Sequence, residues 1–212
     1  MAPKSNLNTD WFFYERLAMD RGFQRICGVD EAGRGPLAGP VYAAAVVLPP
    51  ECHIDGLNDS KKISEKKREM LFDVILEKAT AYGIGYADAA EIDEFNILNA
   101  TFLAMKRALQ KIEPSPDWVM VDGNRMPPLS LPGETIVQGD GKSASIAAAS
   151  ILAKVSRDRI LRELGRRYPE YGFEKHKGYG TKVHYAAIKR YGVLPEHRKS
   201  FLKNLSDRKS VV

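Results

Sequence analysis

The sequence predicts an α/β protein in which helices pack on a mixed β-sheet. Short runs rich in β-branched and aromatic residues alternate with longer segments whose apolar residues recur every three or four positions. Glycine and proline separate these segments. The 212 residues are 44% hydrophobic, which is enough for one domain with a sizeable core.

The first half of the chain predicts two helices and three strands. A short helix from Trp11 to Gly22 carries an apolar side. The expected strands are 26–29, 42–48 and 82–87, the first two joined by a glycine-rich segment. Between the second and third strands, Ser64 is a plausible N-cap for a helix ending at Lys78. The residues expected to face the core from these two helices are Trp11, Tyr14, Leu17, Ala18, Met70, Leu71, Val74 and Ile75.

The second half predicts two longer helices and two further strands. The first helix runs from Asp93 to Ile112 and ends before a pair of prolines. Strands are expected at 118–121 and 135–137, and an alanine-rich helix at 143–166. The apolar stripe of the helix from Asp93 is Phe95, Leu98, Phe102, Met105, Leu109 and Ile112. After residue 166 the chain becomes loop-rich and basic. Arg157, Asp158 and Arg159 are interpreted as a solvated face or a local salt-bridge set.

Composition favours a cytoplasmic protein that meets a polyanion. The net charge is +5 and the pI about 9.1, which suits nucleic acid but also occurs in proteins that bind none. No apolar run approaches a membrane span, and the polar N-terminus does not resemble a signal peptide. With only Cys27 and Cys52, a disulfide framework or a cysteine zinc site is excluded, and Cys27 is expected to be a small buried hydrophobe.

The most informative segment places two carboxylates directly before a glycine-rich loop. Asp30 and Glu31 offer hard oxygen ligands of the kind that Mg²⁺ and Mn²⁺ prefer. Gly33 and Gly35 lack the Cβ that would keep a sugar-phosphate backbone away, and Arg34 supplies a charged fork for a phosphate. An isolated pair of acids would more often be a solvated turn after a strand.

Two more carboxylates stand where strands end. Asp122 follows one predicted strand, and Asp140 lies in a polar turn after the next. Sites gather at the carboxyl ends of parallel strands, so these four acids would converge and repel unless cations neutralised them. Two divalent ions about 3.5–4 Å apart would clamp a scissile phosphate, and the lack of an adjoining histidine favours Mg²⁺ or Mn²⁺ over zinc. Asp140 has an alternative role as a helix N-cap.

Three polar segments are candidates for phosphate contact. Residues 58–62 form a polar turn that includes Ser60 and Lys61, although a solvated helix start is equally consistent. Residues 174–182 place Lys175 and Lys177 beside Tyr179, a composition suited to gripping a strand and stacking on a sugar or base. Core packing is the alternative for Tyr179. Residues 194–201 add another basic turn, and the histidines lack the spacing of a metal cluster.

Taken together, these motifs resemble the bacterial ribonuclease HII family over about residues 22–201. The matching segments are Asp30–Pro40, Asp59–Lys61, Val121–Gly123, Gly139–Asp140 with Lys142–Ser143, and Lys175–Thr181. The resemblance implies the ribonuclease H fold, a five-stranded mixed sheet flanked by helices with a small C-terminal helical and loop region. It also implies metal-dependent endonucleolytic cleavage of RNA in RNA–DNA hybrids, including single ribonucleotides embedded in DNA, which leaves 5′-phosphate and 3′-hydroxyl ends.

The resemblance also assigns roles to individual residues. Asp30, Glu31, Asp122 and Asp140 would be the catalytic acids that hold Mg²⁺ or Mn²⁺, and Tyr179 would recognise the junction of ribose and deoxyribose. The expected substrate contacts are Gly33, Arg34, Gly35, Ser60, Lys61, Lys142, Ser143, Lys175, Lys177 and Tyr179. The expected organisation is an N-terminal helical segment at 1–22, a catalytic domain at 23–201 and a polar tail at 202–212.

Two rival functions share some of these features. A non-catalytic module that binds hybrid or single strands would use the same basic loops, but four acids beside a polyanion would repel phosphate without metal. A DNA nuclease or an integrase-like phosphotransferase would use the same metals on a different substrate. The chain is expected to act as a monomer, and no sliding-clamp-binding peptide is evident in 202–212.

Overall fold

A computed structural model describes residues 10–202 and contains one five-stranded sheet in the order β3-β2-β1-β4-β5. The strands are β1 (Ile26–Ala32), β2 (Val41–Val47), β3 (Ala81–Ala87), β4 (Trp118–Asp122) and β5 (Gly133–Ile136). β1, β2 and β3 pair antiparallel, whereas β1, β4 and β5 pair parallel. The predicted α/β architecture with a mixed sheet is therefore confirmed.

Helices cover both faces of this sheet. They are α1 (Phe13–Asp20), α2 (Glu65–Lys78), α3 (Ala89–Leu109), α4 (Ala144–Arg167), α5 (Phe173–His176) and α6 (Lys182–Tyr191). α3 packs on one face against alternate residues of β1 and β2, and α2 and α4 pack on the other. A smaller apolar cluster joins the end of α4 to α5 and α6. Among residues 10–202, no helix is both long and apolar enough to cross a membrane.

Glycines allow the long helices to lie directly on the strands. A Cβ at Gly83 would lie 2.0 Å from the carbonyl oxygen of Ala108, and one at Gly85 would lie 2.3 Å from that of Ala104. On the other face, a Cβ at Gly28 would lie 2.2 Å from the carbonyl carbon of Ser145. The start of α4 is thereby held close to β1, the strand that carries Asp30.

The helix expected from Asp93 begins earlier and buries a different face. Asp88 and Glu91 form a capping box, with hydrogen bonds of 2.9 and 3.0 Å, so α3 starts at Ala89. The backbone leaves helical geometry at Asn96 (φ 65°), and Phe95 is 41% exposed. The stripe prediction is therefore wrong at Phe95. The buried face of α3 is formed mainly by Ile92, Ala100, Ala104, Met105, Ala108 and Leu109.

Other helices also differ from the expected patterns. In α2, Met70 is 63% exposed while Phe72 is buried, and in α1 Leu17 is exposed while Glu15 is buried. The region after α4 contains α5 and α6 rather than loop alone. Cys27 is fully buried as expected, and both cysteines are free. Apart from Leu202, the expected polar tail lies outside the described residues, as do residues 1–9 of the N-terminal segment.

Candidate active site

The parallel pairing of β1 and β4 brings two of the predicted acids together. Val29 pairs with Val121, so Asp30 and Asp122 occupy the next positions on neighbouring strands. The Asp30 carboxylate accepts a hydrogen bond from the backbone N–H of Glu31 at 2.6 Å. Both side chains leave the sheet near the carboxyl ends of the two strands, as the strand-end argument predicted.

Asp140 reaches the same place through a short 3-10 turn, Gly139–Gly141, which precedes α4. The backbone N–H of Gly139 donates to Asp122 Oδ1 at 2.6 Å and fixes the turn beside β4. A Cβ on Gly139 would lie 2.6 Å from the Cδ1 atom of Ile146, so a larger residue there would displace the Ile146 side chain. The N-cap of α4 is Ser143, whose hydroxyl accepts from the Ile146 N–H, and the alternative role of Asp140 as a cap is wrong.

Three carboxylates form a compact cluster. Asp30, Asp122 and Asp140 each offer an oxygen, and these oxygens lie within 4.8 Å of one another. Burial raises the pKa of Asp30 well above its usual value, and the charges of Glu31 and Asp122 add to this rise. Burial, together with the charges of Asp122 and Asp59, also raises the pKa of Asp140. The cluster therefore favours any cation that offsets its negative charge.

The donor set fits hard divalent cations. All three candidate ligands are carboxylates, and one of them, Asp30, is only 3% exposed. The ammonium nitrogen of Lys61 lies 3.8 Å from Asp140 Oδ2 and offsets part of the charge. Although burial opposes it, the neighbouring carboxylates Asp140 and Asp30 raise the pKa of Lys61. The single positive charge of this lysine cannot balance three carboxylates, which supports Mg²⁺ or Mn²⁺ as the source of the remaining positive charge.

Glu31 lies beside this cluster rather than in it. Its Oε1 lies 3.5 Å from Arg34 Nη1. Burial raises the pKa of Glu31, while Arg34 opposes the rise. Because successive strand residues face opposite sides, Asp30 and Glu31 cannot present their carboxylates identically. Glu31 instead lines a pocket of about 300 Å³ next to the three aspartates.

That pocket gathers most of the expected substrate contacts. The predicted residues that line it are Glu31, Gly33, Arg34, Gly35, Ser60, Lys61 and Tyr179. Tyr179 is 50% exposed, which contradicts the core-packing alternative. A Cβ at Gly35 would lie 3.5 Å from the Tyr179 ring, so the glycine loop and the tyrosine form adjoining walls.

Two buried arginines give the glycine loop its shape. Arg198 donates to the carbonyl oxygens of Gly33, Arg34 and Gly39 at 2.6–3.0 Å. Arg157 donates to the carbonyls of Pro40, Ala38 and Lys177. Gly33 has φ +96°, and a Cβ there would lie 1.9 Å from Arg157 Nε.

These guanidinium groups are 0–1% exposed, and burial lowers the pKa of Arg198 to about 9 and that of Arg157 to about 10. The interpretation of Arg157 as solvated or salt-bridged is therefore wrong, because its hydrogen bonds go to backbone carbonyls. For its neighbours the salt-bridge interpretation is confirmed. Asp158 pairs with Lys154 at 2.6 Å, and Arg159 pairs with Glu69 at 2.7 Å.

Four of the predicted substrate contacts do not line the pocket. A fifth lines the pocket but is already hydrogen-bonded within the protein. Ser143 is fully buried, and its hydroxyl donates to Glu15 at 2.7 Å, so its side chain is not free for the expected contact with substrate. Lys142 Nζ donates to the Val137 carbonyl at 2.6 Å, and Lys177 Nζ lies 3.5 Å from Glu65. Lys175 is exposed on α5. Ser60 lines the pocket but is only 3% exposed and shares a 2.8 Å hydrogen bond with Ser150.

Sequence reasoning missed several residues of this site. Ser150, Lys154 and Arg157 of α4 line the pocket, and Arg198 shapes its loop. Ser150 and Lys154 are four residues apart and therefore share a helix face, a signal that could have been read once α4 was placed beside Asp140. Residues 194–201 were expected to contact phosphate, but Arg198 is buried and binds the loop carbonyls instead. This role gave no local signal, because its partners lie far away along the chain.

A larger concavity of about 540 Å³ lies between β3 and α3, where Glu91 pairs with Arg107 at 2.7 Å. This concavity does not contain the candidate metal ligands. Within residues 10–202, the group of three or more side chains that could hold a metal ion is Asp30, Asp122 and Asp140. The larger concavity and the cluster of carboxylates therefore lie at different places in the fold.

The sequence matches one protein family along most of its length. The model of the family described as Ribonuclease HII matches residues 27–204. The chain is 57% identical over 192 residues to ribonuclease HII from Clostridioides difficile, covering 91% of this chain and 75% of that protein. It is 54% identical over 202 residues to ribonuclease HII from Caldicellulosiruptor saccharolyticus, covering 95% and 98%.

Solved structures share the fold. Ribonuclease H2 from Pyrococcus horikoshii superposes with a TM-score of 0.72 at 27% identity, covering 87% of this chain and 98% of that one. RNase HII from Archaeoglobus fulgidus, solved in complex with PCNA, gives 0.66 at 25% identity, covering 82% and 94%. The expected ribonuclease H-like fold is confirmed. The match along residues 27–204 and the identity to full-length relatives show that the chain belongs to the ribonuclease HII family.

Proposed function

We propose that this chain cuts RNA–DNA hybrids, and duplex DNA containing single ribonucleotides, at the cluster of Asp30, Asp122 and Asp140, with Glu31 as a fourth acid. Membership of the ribonuclease HII family makes the chain a metal-dependent ribonuclease H endonuclease. The observation that carries the site assignment is the meeting of three carboxylate oxygens within 4.8 Å beside a pocket lined by the glycine loop. Mg²⁺ and Mn²⁺ are the ions that we propose for it.

The bond that breaks is the one between phosphorus and O3′. Bound divalent cations would supply positive charge to the attacking water and to the departing oxygen. Asp30, Asp122 and Asp140 would hold them, and Glu31 is close enough to Asp122 for their charges to interact. Water attacks the phosphorus on the 5′ side of the ribonucleotide, and O3′ leaves as a hydroxyl. The products carry a 5′-phosphate and a 3′-hydroxyl.

The glycine loop is suited to selecting ribose. Arg198 and Arg157 engage five of its carbonyl groups, at Gly33, Arg34, Ala38, Gly39 and Pro40. With those carbonyls occupied, the pocket side of the loop presents Gly33 and Gly35, where a 2′-hydroxyl can approach the backbone closely. Arg34 is half exposed and available to a phosphate. Such contacts to sugar and phosphate do not depend on base sequence.

Tyr179 forms the wall that adjoins the loop and offers an exposed aromatic face. We propose that it packs on the deoxyribose at the ribose–deoxyribose junction, while Lys61 contacts phosphate at the rim. We also propose that the enzyme works as a monomer in the cytoplasm, in keeping with its free cysteines. The Archaeoglobus fulgidus relative binds PCNA. The segment 203–212, in which no clamp-binding peptide is expected, lies outside the described residues.

A single experiment tests this function. The enzyme is incubated with Mg²⁺ and a DNA duplex containing one ribonucleotide, beside an all-DNA duplex of the same sequence and a continuous RNA–DNA hybrid. We expect cleavage on the 5′ side of the ribonucleotide, none of the all-DNA duplex, and loss of activity in excess chelator that either ion restores.

The alternatives give different results. Equal cleavage of the all-DNA duplex would indicate a DNA nuclease, and binding without cleavage would indicate a non-catalytic module. Full activity in excess chelator would contradict the metal-dependent assignment. Asp122→Asn should bind hybrid at low salt through the basic residues but should not cut it.

A further inference from the structure

A chain of hydrogen bonds through two buried histidines ends at the backbone of Tyr179. His184, on α6, is 0% exposed and His197 is 1% exposed. Their Nε2 atoms lie 3.1 Å apart. His184 Nδ1 lies 2.9 Å from the Tyr179 carbonyl oxygen, and the backbone N–H of Leu194 donates to His197 Nδ1 at 2.9 Å.

The backbone groups at the two ends fix where the protons are. The Leu194 N–H can only donate, so His197 accepts on Nδ1 and carries its proton on Nε2. The Tyr179 carbonyl can only accept, so His184 carries its proton on Nδ1. The central contact is then one N–H···N hydrogen bond from His197 to His184. Every donor and acceptor of this relay, defined as Leu194 N–H, His197, His184 and the Tyr179 carbonyl, is satisfied with both rings neutral.

We propose that His184 and His197 are positioning residues for Tyr179 and that Leu194 anchors this pair only while both rings are neutral, so that acidification loosens the junction-recognising side of the active site. The inference rests on the proposed role of Tyr179 in substrate binding. It follows from counting hydrogen atoms. A proton added to His184 forces His197 to accept on Nε2 and to place an N–H against that of Leu194. A proton added to His197 has the same result. In both cases the pair loses its anchor at Leu194, while His184 still donates to the Tyr179 carbonyl.

The surroundings of the two rings favour the neutral state. His176 of α5 stacks on His184 with ring centroids 4.4 Å apart, and the Phe173 ring packs against both His184 and His197. The Tyr171 ring lies 5.5 Å from that of His197. His176 is itself occupied, because it accepts from the Gly178 N–H and its Nε2 contacts the Tyr171 carbonyl at 2.7 Å.

Charged neighbours do not reach the imidazoles. Among residues 10–202, no carboxylate is within hydrogen-bond distance of His184 or His197; Glu196 instead accepts from the Tyr168 hydroxyl at 3.3 Å. Arg198 follows His197 in the chain, but its guanidinium contacts the carbonyls of the glycine loop. Burial lowers the pKa of His184 to about 4, and the nearby His176 and His197 act in the same direction. Burial also lowers the pKa of His197, which Glu196 partly opposes.

Two substitutions of His184 distinguish the roles of its two ring nitrogens. His184→Asn places an amide N–H near the position of Nδ1 and keeps a donor for the Tyr179 carbonyl. His184→Gln places its amide near Nε2, so that it keeps a partner for His197 but leaves the carbonyl unpaired. We expect His184→Gln to slow cleavage at a single embedded ribonucleotide about tenfold, with a continuous hybrid changed less than about twofold. His184→Asn should recover most of the loss.

The pH dependence of cleavage distinguishes a positioning role of the two histidines from a purely structural one. The ratio of embedded-ribonucleotide to continuous-hybrid cleavage cancels the titration of the metal-binding acids, which affects both substrates. In the wild type this ratio should fall towards pH 5 and below. In His184→Asn, which cannot titrate at this position, it should fall less. The exposed His53 provides the control, and His53→Gln should leave the ratio and its pH dependence unchanged.

NMR of the imidazole nitrogens tests the relay without a measurement of cleavage. With ¹⁵N-labelled histidine, His184 should show the Nδ1–H form and His197 the Nε2–H form at pH 7, and neither should protonate at the ordinary histidine pKa. The reverse tautomer at His184, or titration near 6.5, would overturn the inference. If the wild type cuts no ribonucleotide substrate, the proposed function fails while the NMR still tests the relay. If the wild type is active and His184→Asn and His184→Gln are equally impaired on the embedded ribonucleotide, the positioning role alone fails.

Discussion

Asp30→Asn should stabilise the metal-free protein and abolish its activity. The oxygens of Asp30, Asp122 and Asp140 lie within 4.8 Å of one another. At an effective dielectric constant of about 20, two unit charges at that distance repel by about 3.5 kcal/mol. Removing the Asp30 charge eliminates two such pairs, which for fully charged groups amounts to at least about 7 kcal/mol. Partial protonation of Asp30 and the charge of Lys61 reduce this.

We expect a net gain of about 1–3 kcal/mol, which for a chain of this size raises Tm by about 2–12 °C. Asparagine keeps the shape and an acceptor oxygen for the Glu31 N–H. The assay is a thermal melt in chelator and in Mg²⁺. Mg²⁺ should raise the wild-type Tm more than that of the variant, because binding to the folded state adds stability that depends on affinity. Cleavage of hybrid by Asp30→Asn should fall at least about a hundredfold.

Asp73→Asn is the matched control, because it removes the same charge from an exposed position in the middle of α2. It should change neither Tm nor activity measurably. A variant at Asp30 that melts below the wild type in chelator would refute the argument that repulsion dominates this cluster. A variant that cuts at the wild-type rate would remove Asp30 from the metal site.

Three further substitutions test the parts of the fold that support the site. Arg198→Lys keeps the charge but loses the fork that binds three carbonyls, and it should destabilise the protein by about 2–4 kcal/mol in denaturant titrations and slow hybrid cleavage. Gly83→Ala would place a Cβ 2.0 Å from the Ala108 carbonyl oxygen and should cost about 1–3 kcal/mol in the same titration, while an unchanged midpoint would contradict the close packing of β3 and α3. Burial raises the pKa of Glu15 above 4.5, so the stability that its protonated form contributes is complete below that pH and is lost as the pH rises through the raised pKa. The urea midpoint of the wild type relative to Glu15→Gln should therefore decline from about pH 4 to pH 7.

The acids of the site could be predicted from sequence because each lies next to a recognisable strand or turn. Asp30 and Asp122 end apolar runs, and the parallel pairing of β1 and β4 places them side by side. The distinction between Glu31 and the three clustered aspartates was not predictable, because it depends on which way each side chain leaves the strand. The fold class followed from the same runs. The start of α3 was missed because the capping box at Asp88 and Glu91 was not recognised.

Errors of burial came from tertiary packing that no local pattern encodes. The buried face of α3 is rich in alanine because Gly83 and Gly85 bring the strand too close for larger residues. Phe72 rather than Met70 faces the core in α2. Arg157 looked like a surface charge because two of its three partners, the carbonyls of Ala38 and Pro40, are more than 100 residues away along the chain. A cation whose ligands are backbone carbonyls leaves no complementary charge in the sequence.

The dependence of the glycine loop on Arg198 sets an order for protein synthesis. The loop leaves the ribosome early, but the guanidinium that binds the Gly33 carbonyl follows 165 residues later. β1, β2, β4 and all three aspartates precede this arginine in the chain and leave the ribosome before it. Until it emerges, the nascent chain has the acids but not the shaped substrate pocket. A chain that ended between Asp140 and Arg198 would therefore carry the three aspartates without the guanidinium that shapes the substrate pocket.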